Sequence, residues 1–237
     1  MKKLTAILLL VVSNAFCQTV EILEYQKLPQ AYAYDGFGAV QPWTDVLQLT
    51  FVAKIKSTGS LKRATYLYQF IKAEAQKMGA NLFKVDSYTK LNDGQNGELI
   101  ASVYRASDEM LEVNQRNTET NKIYVFGDEN ILSDKKQGYR INGDKKEISA
   151  GKFTVYELPV GKDVKISKGG FTGTTDWFRG QENSPNIYIS FGGFGVSGAS
   201  ANYTPGSQGV GIGFTTGKIN QVQDDVAAAL LSIFSKQ

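Results

Sequence analysis

The chain contains no histidine and a single cysteine, Cys17, among 237 residues. Without histidine, and with its one thiol near the N-terminus, it cannot build the usual zinc sites, the Ser-His-Asp and Cys-His nucleophile systems, or the commonest general base. An intramolecular disulfide is excluded too. Carboxylate chemistry of the glycosidase kind and an oxygen-ligand Ca²⁺ site remain, and neither has a motif here. An excess of charge of one sign is also missing: 26 Lys and Arg stand against 23 Asp and Glu, a formal charge of +3. So balanced a chain has no overall electrostatic footprint for nucleic acid or an anionic membrane, so neither is expected as a partner. No apolar run is long enough to span a bilayer, since Leu4 to Val12 falls well short.

That short run has a meaning of its own. Lys2 and Lys3 precede it and Ser13-Asn14 follow, the pattern of a secretory signal peptide over 1–17. Ala15 and Cys17 flank Phe16 in a small-x-small cleavage site, so Gln18 is the expected first residue of the exported chain. The alternative is a lipidated Cys17 anchoring the chain to a membrane, and the bulky Phe16 immediately before it argues against this. Export removes two lysines and leaves the rest closer still to neutral.

The remaining chain divides near 114–121, where NQRNTETN has no aliphatic or aromatic residue. The expected organisation is an α+β domain over 18–115, a linker over 116–121, and a mainly β, sandwich-like domain with a C-terminal helix over 122–237. In the first part, Val20 to Tyr25 and Val46 to Ile55 are strand candidates, the second alternating through Leu47, Leu49, Phe51, Ala53 and Ile55. Between them QAYAYDGFGAVQPW carries Tyr32, Tyr34, Phe37 and Trp43, either a loop packed over its own core or an aromatic ligand platform. Ser60 caps a helix whose stripe runs through Leu61, Ala64, Tyr68, Ile71, Ala75 and Met78 and which Gly79 stops. Leu82 to Tyr88 and Glu98 to Tyr104 follow as strands around the turn Asn92 to Gly97. That turn has calcium-loop ingredients without the alternating acidic spacing, so it reads as a polar hairpin. Asp108, Glu109 and Glu112 read as the solvated face of a short element.

After the linker, Lys122 to Phe126, Tyr139 to Asn142, Lys152 to Leu158, Asp163 to Ser167 and Asn186 to Phe191 read as short strands between turns. Asn142-Gly143 favours a tight hairpin, and Pro159 with Gly161 turns one strand into the next. Trp177 sits in GTTDWFRGQEN, read as a polar loop with Asp176, Arg179 and Glu182. The segment 192–217 holds nine of the 24 glycines. Within it Gly193-Phe194-Gly195-Val196-Ser197-Gly198 spells a dinucleotide-binding pattern. Ala199 to Tyr203 runs straight into Thr204-Pro205-Gly206, which leaves no room for the required helix, so no cofactor is expected. Period-two alternation through Gly209, Gly211 and Gly213 instead suggests bare-faced strands, packed inside the fold or open to a partner. Gln221 to Ser235 reads as a helix with Val222, Val226, Leu230, Ile233 and Phe234 on one face.

Two parts of the chain carry a family resemblance. KAEAQKMGANLFKVDSY resembles the helix-to-strand junction of small α+β domains in bacterial envelope proteins. IYVFGDEN, YRINGDKKEISAGKFTVYELPVGK and DVKISKG resemble a family of β-sandwich domains from the same compartment. The resemblance implies a periplasmic or outer-membrane-associated protein and supplies no catalytic residue. The expected function is a non-catalytic interaction or scaffold protein of the envelope, its partner another envelope or outer-membrane protein. The alternative is a carbohydrate- or cell-wall-binding protein, with a carboxylate-based hydrolase as its enzymatic form. Trp43, Trp177, Arg179 and Gly211 are the expected ligand or partner surface.

Overall fold

Thirteen residues from Thr65 to Lys77 form helix α1, because the apolar stripe predicted for them repeats every three to four positions and meets a sheet. Leu67, Tyr68, Ile71 and Ala75 are fully covered. The helix stops where Gly79 adopts a left-handed φ of 84°, a conformation that carries almost no penalty without a Cβ. Ser60 does act as a cap, but for a preceding turn of 3₁₀ helix over Leu61–Arg63, its hydroxyl accepting from the Lys62 amide.

A computed structural model describes residues 18–29, 36–116, 118–170, 173–191, 194 and 218–237. The described chain is a mixed α+β structure of three helices and predominantly strands. The first sheet runs β1 (Thr19–Tyr25), β3 (Thr50–Ser60), β5 (Asn96–Arg105), β4 (Leu82–Lys90) and β2 (Gly38–Ala39) in spatial order. Neighbours are antiparallel except β2, which lies parallel to β4. Helix α2 (Asp108–Gln115) follows β5, with Ser107 accepting from the Met110 amide as its cap. Its acidic residues Asp108, Glu109 and Glu112 are exposed, as expected.

The second sheet runs β13 (Asn220–Gln221), β12 (Ile187–Ser190), β6 (Lys122–Phe126), β9 (Lys152–Glu157) and β14 (Ser235–Lys236). The third runs β11 (Thr174–Arg179), β10 (Asp163–Lys168), β7 (Lys136–Ile141) and β8 (Asp144–Ser149), all antiparallel. Asn142 and Gly143 join β7 to β8 with φ of 50° and 96°, the pair of left-handed residues a two-residue hairpin demands. Alternation splits the second sheet's side chains between two cores. Ile123, Val125 and Ile189 meet Ile141, Ile148, Val164 and Ile166 of the third sheet. On the other face Phe126 joins a larger cluster with the first sheet, α1 and the terminal helix α3 (Asp224–Ile233).

Two strand assignments need correction. The expected strand from Val46 begins only at Thr50: Val46–Gln48 is a 3₁₀ turn capped by the Asp45 carboxylate, leaving Leu47 89 % exposed. A bulge between Phe51 and Ala53 then breaks the alternation, so that Val52 and Ala53 are both buried. The expected polar loop around Trp177 is strand β11, with Asp176 and Phe178 on the face opposite to Trp177 and Arg179. Tyr32, Tyr34, Cys17, Gly211 and the glycines of the dinucleotide-like pattern lie outside the described residues. Among the described residues no helix is long and apolar enough to cross a membrane.

Candidate functional site

Among the described residues a cleft beside α3 is a candidate ligand site. It consists of adjoining hollows of about 820 and about 380 Å³, both lined by Gln41, Glu119, Asn186 and Tyr188. Its walls come from the loop after β2, the end of α2, β4, the segment that leads into β6, one face of the second sheet at β6 and β12, and α3 itself. Trp43 stands in the smaller hollow with Tyr124, Tyr188 and Leu231.

Trp43 is held by a residue remote in sequence. Asn114, buried in the last turn of α2, accepts from the Gln41 amide at 2.9 Å and the Thr44 hydroxyl at 2.7 Å. Its side-chain amide donates to the Ala39 carbonyl at 3.0 Å, and the Asn114 backbone carbonyl accepts from the Trp43 indole at 3.2 Å. One side chain thus replaces the sheet hydrogen bonds that the loop lacks. Truncating it orphans buried donors at a cost of about 1–3 kcal/mol. Asn114→Ala is therefore expected to lower thermal stability by that amount and to shift tryptophan emission to the red as the loop loosens. Unchanged emission would mean that the loop is held by other contacts.

The opposite wall is a pair of tyrosines. Parallel pairing of β12 with β6 places Tyr188 beside Tyr124, ring centroids 5.1 Å apart. The Tyr124 hydroxyl donates to Glu119 Oε2 at 3.3 Å, and the same oxygen accepts from Lys122 Nζ at 2.7 Å. Burial, reinforced by the Glu119 charge, pushes the Tyr124 phenol up to about 12. Burial likewise raises Tyr188, so both present neutral rings and hydroxyls at neutral pH. The Lys122 hydrogen bond holds the Glu119 carboxyl below its ordinary value. Asp224, at the start of α3, is displaced upward by burial and then by the neighbouring Asp225 charge. Asp225 itself is buried and engaged, accepting from the Tyr68 hydroxyl at 2.7 Å and from Lys72 Nζ.

Of the residues expected to form the ligand or partner surface, the three that are described do not share one site. Trp43 is in the cleft, whereas Trp177 and Arg179 lie on the outer face of the third sheet, with the core between that sheet and the second intervening. Arg179 is 3.9 Å from Asp163, an exposed pair of small energetic weight. Gly211 lies outside the described residues. The sequence reading missed Asn114, Glu119, Tyr124, Tyr188 and Asp224. A signal for the two tyrosines was present, since each is the polar-tipped aromatic between two isoleucine or valine neighbours in a short strand. Among the described residues no cluster of three Asp, Glu, His or Cys side chains is arranged to hold a metal ion.

Compared with protein-family models, curated proteins and solved structures, the chain finds no match in any of the three, so the likeness to envelope domains rests on the quoted segments alone.

Proposed function

We propose that the chain is a non-catalytic interaction module of the bacterial cell envelope, exported with Gln18 as its first residue, whose cleft grips an extended segment of another envelope protein. In this reading it is organised as a helix-on-sheet unit over 18–115 and a β-sandwich-like unit over 122–237, joined through 116–121. One observation carries the binding reading: the polar groups around the cleft are already committed to one another. Glu119 is tied to Lys122 and Tyr124, Asn114 to the Trp43 loop, and Asp225 to Tyr68 and Lys72. Such engagement preorganises aromatic walls for binding and leaves few groups free to react.

A photo-crosslinking residue placed at Trp43 tests this reading. It should capture one envelope protein in intact cells, and Tyr188→Ala should abolish the capture while the protein still folds. Capture that is diffuse, or indifferent to Tyr188→Ala, would sink the proposal.

The hydrolase alternative has one observation in its favour. Glu119 and Asp224 line the same hollow and are displaced in opposite directions, the division of labour that acid–base pairs use. Asp224 also gives a pH prediction. Its folded-state value is raised, so its charge costs stability as pH rises from the ordinary carboxylate value of 3.8 through the raised one. Asp224→Asn is thus expected to melt higher than the unmodified protein at pH 7, with the difference closing on acidification below that value. Under the hydrolase alternative the same variant loses glycan cleavage, whereas the binding module shows no cleavage to lose.

A further inference from the structure

The geometry points to a second binding surface, the outer face of the third sheet, which takes an acidic polysaccharide through stacking on Trp177 and pairing with a row of cations. Register places these residues on one face, because directly opposed residues of an antiparallel pair share a side. Lys145 opposes Arg140, Arg140 opposes Ser167, and Ser167 opposes Thr175. Two residues along β10, Lys165 opposes Trp177. The four strands give the row a width of about 14 Å at ordinary strand spacing.

Three features distinguish this face from ordinary solvated surface. Trp177 is 57 % exposed, and the Lys165 ammonium lies 5.5 Å from its ring centroid. A cation over one face of an exposed indole suits a ligand that stacks an apolar sugar face on the other and sets a carboxylate against the cation. Arg140, Lys145 and Lys165 have no carboxylate within 4.0 Å among the described residues, whereas Lys136 and Arg179 at the margins do, at 3.9 Å each. Beside the row is a depression of about 640 Å³ lined by Gly138, Arg140, Lys145, Lys146, Glu147 and Ser167. Gly138 keeps it open: a Cβ there would meet only the Lys146 carbonyl, at 4.0 Å. A uronate-bearing chain lying across the strands would set one ring on Trp177 and its carboxylates on Lys165, Arg140 and Lys145. Nucleic acid and an anionic membrane would seek the same cations, but the near-balanced charge of the chain gives neither the broad field it needs.

Isothermal titration with oligogalacturonate, and with its methyl ester as the uncharged counterpart, tests the inference. Oligogalacturonate should bind, more weakly as salt is raised, and the ester should not. Trp177→Ala and Arg140→Ala should each weaken binding by about five- to tenfold. Gly138→Val, which fills the depression without strain, should weaken it with the melting temperature unchanged. Trp43→Ala should leave it intact, so failure here is separable from failure of the cleft reading. No binding of oligogalacturonate, equal binding of the ester, indifference to the three variants, or tighter binding of single-stranded DNA or phosphatidylglycerol vesicles would each overturn the inference.

Discussion

Lys72→Met is expected to cost the protein about 3 kcal/mol, because it strands a carboxylate that the fold has already paid to bury. The Asp225 side chain is 8 % exposed and its Lys72 partner 21 %. Together with Tyr68 they join α1 to α3, elements separated by more than half the chain. After the substitution Asp225 keeps the hydrogen bond from the Tyr68 hydroxyl. One uncharged hydrogen bond does not compensate for a carboxylate removed from water. Asp225→Asn in the same chain should recover more than half of the loss, since the amide can still accept from Tyr68 without carrying charge. Chemical denaturation of the two variants and the parent completes the comparison. A single variant as stable as its parent would show that water reaches Asp225 when the lysine is gone.

Gly127→Ala should be comparably damaging for a different reason. Gly127 leaves the end of β6 and donates to the Lys152 carbonyl at 2.9 Å. A Cβ at this position would fall 2.0 Å from the Ser149 carbonyl oxygen, a backbone atom that cannot swing aside as the end of a side chain can. Relief requires the turn between β8 and β9 to move away from β6, an overpacking cost of about 3 kcal/mol. For a chain of this size that is a fall in Tm of roughly 6–12 °C. Gly138→Ala is the control, its Cβ meeting only the Lys146 carbonyl at an ordinary 4.0 Å, and should change Tm by little. Equal melting of the two alanine variants would refute the close approach.

Local rules made part of this structure legible in the sequence. The stripe of α1 and the Asn142-Gly143 hairpin depend on residues a few positions apart, and both appear where periodicity and turn chemistry place them. The strand around Phe51 misled for an equally physical reason: its bulge shifts the inward set by one, and a single sequence read at period two has no means of registering an inserted residue. Pairings that need distant partners were also hidden. β12 lies parallel to β6 and β14 parallel to β9, with the intervening chain running elsewhere, whereas alternation along one strand is silent about the direction of its neighbour. The cleft was only partly visible. Trp43 stood out as one of two tryptophans, but Asn114 lay in a polar stretch read for its lack of apolar residues, and its worth comes from partners some 70 positions away. Tyr124 and Tyr188 became a wall only through the parallel pairing.

Helix α3 also sets a timetable. It packs on α1, β2 and β4, and its Ala227, Ala229, Leu230 and Ile233 belong to the same apolar cluster as Val52, Leu67 and Phe83. The first sheet and its helix are synthesised more than a hundred residues before α3, whose side chains complete their cover. Loop closure over that span must precede the reward of burial, which slows folding and favours one late concerted step over piecewise assembly. Until then the nascent chain keeps an uncovered apolar surface, a natural handhold for a chaperone.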